Sequence, residues 1–122
     1  MNSRFHLRSP KKPKLSENDV ERACLDMLGY RGYWVTRLHT GIFKSVDGKR
    51  WITGAKKGTP DYAALHQRFP GFLLEVKRPG AEPTPEQIKK HREIHIGFRL
   101  SILTVDSVED LLAQLAQHER SP

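Results

Sequence analysis

Cysteine is almost absent. Cys24 is the only one in 122 residues, so no intrachain disulfide can form and nothing points to an oxidising compartment. No apolar run approaches the ~20 residues that span a bilayer, and the N-terminus lacks the apolar stretch of a signal peptide. A soluble, cytoplasmic protein is expected. Zinc-finger spacing, a helix-turn-helix pattern and internal repeats are missing too, which removes the common base-reading modules and the solenoids. Acidic residues are missing from residues 1–14, which carry Arg4, Arg8, Lys11, Lys12 and Lys14 with Pro10 and Pro13. That stretch reads as a disordered basic arm, either a solvated tail or a nonspecific polyanion contact.

Residues 15–122 are then long enough for one folded domain and too short for two. The apolar fraction is 37% and the mean hydropathy −0.62, as expected for a modest core. Net charge is +7, and it is unevenly spread. Residues 37–92 hold twelve Lys/Arg against five acids, whereas 15–36 and 93–122 are both net negative. A basic middle segment favours a polyanionic partner.

The periodicities predict an order αββββαβα. Ser16 is an N-cap candidate, followed by Glu17 and Asp19 where the helix dipole favours acids. Val20, Ala23, Cys24, Met27 and Leu28 form one apolar face, with Cys24 as core, and Gly29 and Gly32 end the helix. Strands are expected over Tyr33–His39, Arg50–Thr53, Asp61–Leu65 and Phe72–Lys77, with Ile42–Lys49 as a connection turning at Asp47-Gly48. Thr84-Pro85-Glu86-Gln87 opens a second helix with a capping box, running to about His95 and stopping near Gly97. Phe98–Val105 is a strand. Ser107 starts a last helix with Val108, Leu111, Leu112 and Leu115 on one face. Trp34 and Trp51 read as core or strand-pair residues more than as stacking platforms.

The chemistry lies at Pro60-Asp61 and Glu75-Val76-Lys77. Side chains alternate along a strand, so Glu75 and Lys77 share a face while Val76 points to the core. The loop between the two strands is short enough for antiparallel pairing, which sets Asp61 beside Glu75. Two neighbouring carboxylates repel unless a cation lies between them, and hard oxygen donors suit Mg²⁺ or Mn²⁺. Such a metal polarises a phosphoryl group and acidifies bound water, and Lys77 could orient that water or neutralise developing charge. A surface salt bridge between edge-strand residues is the plain alternative. On the first helix Glu17 lies about 40° from the centre of the apolar face and Glu21 about 80°, so Glu17 is the acid expected to be buried and in need of a partner.

These residues resemble the PD-(D/E)XK nuclease signature. Ser16-Glu17-Asn18-Asp19-Val20, Thr40-Gly41, Gly58-Thr59-Pro60-Asp61 and Pro85-Glu86-Gln87 are similar to its VRR-NUC branch, over residues 16 to about 112. The resemblance implies a restriction-endonuclease-like α/β fold, with a mixed central sheet flanked by helices. It implies a Mg²⁺- or Mn²⁺-dependent endodeoxyribonuclease that leaves 5′-phosphate and 3′-hydroxyl ends. It implies metal ligation by Glu17, Asp61, Glu75 and the Val76 carbonyl, with Lys77 and Gln87 supporting the reaction; Glu21 is the alternative ligand on the first helix. His39 departs from the family, whose members tend to have Asn before Thr-Gly, and carries no assigned role. Likeness to small phage enzymes implies branched or four-way-junction DNA as substrate, and symmetric cutting of two strands implies a homodimer.

Gln87 is accounted for equally well by the capping box. Arg37, Lys56, Lys57, Lys89 and Lys90 are candidate phosphate contacts, as are Lys44, Lys49, Arg50 and Arg92, although a solvated face would look the same. Two rival functions are a noncatalytic DNA-binding module on the same fold and a restriction-type enzyme cutting duplex at a defined sequence.

Overall fold

The computed structural model describes residues 16–39, 42–54 and 58–120. The basic arm, Thr40, Gly41, Lys56 and Lys57 lie outside the described residues. Helix α1 (Glu17–Tyr30) leads into β1 (Trp34–Arg37), β2 (Ile42–Lys44), β3 (Trp51–Thr53), β4 (Tyr62–Leu65) and β5 (Phe72–Val76). Then come α2 (Pro85–Phe98), β6 (Ser101–Val105) and α3 (Val108–Arg120).

One strand more than expected is present. Ile42–Lys44 pairs antiparallel with Trp51–Thr53 as a separate two-stranded ribbon, where a plain connection was predicted. Its turn is tied by Asp47, which accepts from the Ser45 hydroxyl and the Lys49 N–H, and by Ser45 Oγ, which accepts from the Arg50 N–H. Such side-chain bonds make a tight turn from polar residues, and three paired residues are too few for alternation to be read.

The main sheet has the order β1-β4-β5-β6. β4 is antiparallel to β1 and to β5, while β5 and β6 run parallel. A parallel pair needs a long crossover, and α2 supplies it. The sheet is therefore mixed, as expected.

Both predicted N-caps form. Ser16 and Asp19 make a reciprocal capping box at α1, and Thr84 and Gln87 make one at α2. Gly32 adopts φ +88°, a left-handed backbone that lets Tyr33 N–H reach back to the Leu28 carbonyl and close α1. α2 continues past Gly97 to Phe98, and the left-handed residue that stops it is Arg99 at φ 54°.

One face of the sheet carries the core. Phe72, Leu74 and Val76 of β5, with Tyr62, Ala64, Leu103 and Val105, pack on Val20, Cys24 and Leu28 of α1 and on Leu111 and Leu115 of α3. Leu112 is half-buried and Ala23 is exposed, so the α1 stripe is narrower than predicted. Cys24 is fully buried, and burial pushes its thiol up to about 11. Trp34 and Trp51 do sit in strand pairs, but neither belongs to the core: they are 63% and 69% exposed. Trp34 faces exposed Leu65 on an edge pair, and Trp51 lies under the Lys44 ammonium, 5.1 Å from the ring centre. No described helix is long and apolar enough to cross a membrane.

Candidate active site

Asp61 immediately precedes β4, and the β4–β5 register, Tyr62 against Leu74, carries it to the level of Glu75. Its backbone is held because its carbonyl accepts from Leu38 N–H at 2.7 Å, and Pro60 before it is fully buried. Its side chain is held across the strands, where Oδ2 accepts from Val76 N–H at 3.2 Å. Val76 thus touches the site through its backbone, while its side chain is in the core.

Glu75 is the one acidic residue buried among the described residues, at 2% exposure. It alternates with Leu74 and Val76, so it projects from the opposite face of β5. Lys77 Nζ lies 3.9 Å from its Oε2, and His91 Nε2 of α2 lies 3.7 Å from its Oε1. Burial, then a hydrogen bond to Asp61 and the charge of Asp61, push the Glu75 carboxyl up to about 8; Lys77 opposes them and the more distant Glu17 adds to them. Burial and the neighbouring Asp61 thus favour the protonated form of Glu75, because two carboxylates this close repel when both are charged. His91 is held below the ordinary imidazole value by burial and by Lys77, against the pull of Asp61. Its ring is neutral at pH 7.

The structure brings Asp61, Glu75 and Lys77 together and leaves Glu17 apart. Glu17 is exposed in the first turn of α1, not buried in the stripe as predicted, because the buried face begins at Val20. No three His, Cys, Asp or Glu side chains among the described residues gather tightly enough to enclose a metal ion. Glu21 is committed elsewhere: its Oε1 accepts from the Tyr62 hydroxyl and from Arg37 Nη1. Burial raises the Glu21 carboxyl, Arg37 lowers it, and Asp61 and Glu17 raise it further. Between the two first-helix acids, Glu17 is the one whose carboxylate is not tied to these groups.

The other candidates are dispersed. Arg37 also donates to the Tyr62 hydroxyl and lies over its ring, so that with its Glu21 bond it ties β1 to both β4 and α1. Gln87 Oε1 accepts from Thr84 N–H at 2.9 Å, which commits that oxygen to the cap. Lys90 pairs with Glu93, and Lys89 is exposed. Gly58, at φ +86°, lets the turn before Asp61 touch α2; a Cβ there would stand 2.9 Å from the Glu86 carbonyl oxygen.

His91 and Tyr62 were not foreseen. His91 stands four residues after Gln87, one turn along the same face of α2, and that spacing was the available signal. Tyr62 gave none, since an aromatic residue in a strand reads as core.

A mixed sheet whose parallel pair is bridged by a helix, with acids where the antiparallel hairpin opens, can be compared as a whole. A solved structure titled "VRR_NUC domain" matches with a TM-score of 0.61 at 20% identity, over 85% of this chain and 98% of that one. The fold is that of a VRR_NUC domain. No family model and no curated protein matches the sequence. At this identity the likeness carries the architecture alone, and the chemistry must come from the site's own residues.

The residues fit a divalent cation. Glu75 Oε1 is buried with no hydrogen-bond partner, and burial beside Asp61 raises the Glu75 carboxyl, a cost that a bound cation would relieve. Two carboxylates are a sparse donor set, which suits an ion that keeps several waters.

Proposed function

We propose that the protein is a Mg²⁺- or Mn²⁺-dependent endonuclease that hydrolyses DNA phosphodiester bonds. The observation that carries this reading is the Asp61–Glu75 carboxyl pair beside Lys77, partly walled off from water on a VRR_NUC fold. Asp61 and Glu75 would hold the ion, joined by the Val76 carbonyl and by Glu17 through water or a side-chain rotation. The bound ion would supply a Lewis acid for the scissile phosphate.

The chain's own groups do the rest. Lys77, 15% exposed and close to Glu75, directs its ammonium toward the phosphoryl oxygens and the attacking water. Its fixed charge also favours loss of the Glu75 proton. Gln87 acts through the α2 cap, which holds the helix that roofs Glu75. The backbone is drawn in by the basic middle of the chain: Lys44, Lys49 and Arg50 on the β2–β3 ribbon, Lys89 on α2 and, beyond the described residues, Lys56 and Lys57. With no base-reading module, DNA shape is the cue, and branched or four-way-junction DNA is the favoured substrate. Paired cuts at such a junction call for a two-fold homodimer.

The test is cleavage of linear duplex, single-stranded, flap and four-way-junction DNA with Mg²⁺, Mn²⁺ or EDTA, beside Glu75→Ala. Metal-dependent scission of the branched substrates is expected, reduced by roughly 10³-fold in the variant, the scale of losing a Lewis acid worth several kcal/mol. Salt-sensitive binding with no metal-dependent scission would replace this reading with a DNA-binding module. Cutting of linear duplex at one sequence would replace the junction preference, and a monomer on junction DNA in sedimentation would remove the dimer.

A further inference from the structure

Among the described residues, two buried side-chain polar atoms have no hydrogen-bond partner, and they face each other: Glu75 Oε1 and His91 Nε2, 3.7 Å apart. Burying a polar atom unpaired is costly, so native structures rarely do it without a reason. Here each is the other's nearest remedy. Closure by less than about 1 Å makes an N–H···O bond between them. No water fits between atoms this close.

The surroundings decide which way the pairing acts. The second Glu75 oxygen, Oε2, faces Lys77 at 3.9 Å, and the carboxyl also meets Asp61. Gln87, one turn earlier on α2, is occupied by its cap. His91 is the α2 side chain that lies against Glu75.

We propose that His91 is a positioning residue, donating its Nε2–H to Glu75 Oε1 and holding that carboxylate in the orientation that takes the divalent cation. This rests on the nuclease reading of the same site. The role needs a neutral donor that orients a ligand without replacing it, and loss of such outer partners typically weakens metal binding roughly 10–100-fold. It also gives α2, which has no buried residue of its own, a specific contact with the sheet face it covers.

The experiment is calorimetric titration of the full chain with Mn²⁺ in mildly alkaline buffer, comparing wild type, His91→Leu and His91→Gln, with melting curves of each metal-free protein. The amide nitrogen of Gln reaches about where Nε2 sits, so H91Q should bind Mn²⁺ within about threefold of wild type and H91L about 10–100-fold more weakly, at unchanged melting temperatures. A ¹⁵N-edited spectrum of the wild-type histidines should show the His91 proton on Nε2; this reading stands even if H91L fails to fold. Equal Mn²⁺ affinity in H91L and wild type would overturn the proposal and leave the nuclease reading intact. A bare Nε2, with H91Q as weak as H91L, would overturn it in favour of the ring as a direct ligand. Failure of the wild type to bind Mn²⁺ would overturn both, and the spectrum would show whether the pairing exists regardless.

Discussion

The two faces of β5 are built to opposite ends. Phe72, Leu74 and Val76 meet α1 and α3 in a sealed apolar layer, with Leu28, Leu111 and Leu115 wholly out of solvent. The other face carries Glu75 and Lys77 under α2, a helix with no buried residue and with Ile88, Ile96 and Phe98 in solvent. A strand alternates its side chains, so one five-residue segment serves both faces: stability on one side, a buried polar site on the other. Burial here stabilises the fold where the side chain is leucine and destabilises an ion where it is glutamate.

Truncation should separate the faces most sharply. Leu115→Ala removes a fully buried side chain and should cost about 3 kcal/mol in denaturant unfolding. Ile96→Ala on α2, 69% exposed, should stay within about 0.5 kcal/mol. Similar losses at both sites would mean that α2 is as deeply anchored as α3.

The second difference is one of pH. Glu75 keeps its proton in the folded chain up to about 8, whereas an unfolded glutamate loses it near 4.5. Between those values the folded state binds the extra proton, so metal-free stability falls as pH rises through that window and levels off above it. Glu75→Gln, which never ionises, should flatten that slope and leave a protein more stable than wild type at high pH, by thermal melts across the range. Conversely, Mn²⁺ affinity of the wild type should climb as pH approaches 8, because the cation displaces a proton. A flat profile for both would show that Glu75 is ionised throughout.

The smallest effect concerns the cap of α2. Thr84→Ala loses the hydroxyl that accepts from Gln87 N–H and should cost about 1 kcal/mol. Gln87→Glu preserves the box and should leave stability nearly unchanged. If Q87E nevertheless cuts DNA much more slowly than wild type, Gln87 has a part in the reaction beyond its cap.

Local patterns were the legible part. Ser16 and Thr84 announce their helices as caps; the box expected at Thr84 forms, and Ser16 makes one with Asp19 as well. Alternation in Phe72–Val76 assigns Val76 to the core and Glu75 to the other face. The short β2 strand escaped because its turn is made by side-chain bonds within a polar run. Of the two readings of Trp34 and Trp51, strand pair holds and core does not, because apolar character does not reveal that a strand lies at an edge. Glu17 was placed in the buried stripe by angle alone, yet it sits one turn before that stripe makes contact.

The amino-acid order alone settled where helices begin and which side of β5 each residue faces, since these depend on neighbours within a few positions. Only the folded chain decided that Glu21 would be claimed by Tyr62 and Arg37 and that His91 would meet Glu75. Those outcomes rest on distances between residues far apart in the chain. Such distances follow from how α1 and α2 pack on the sheet, which no local spacing encodes.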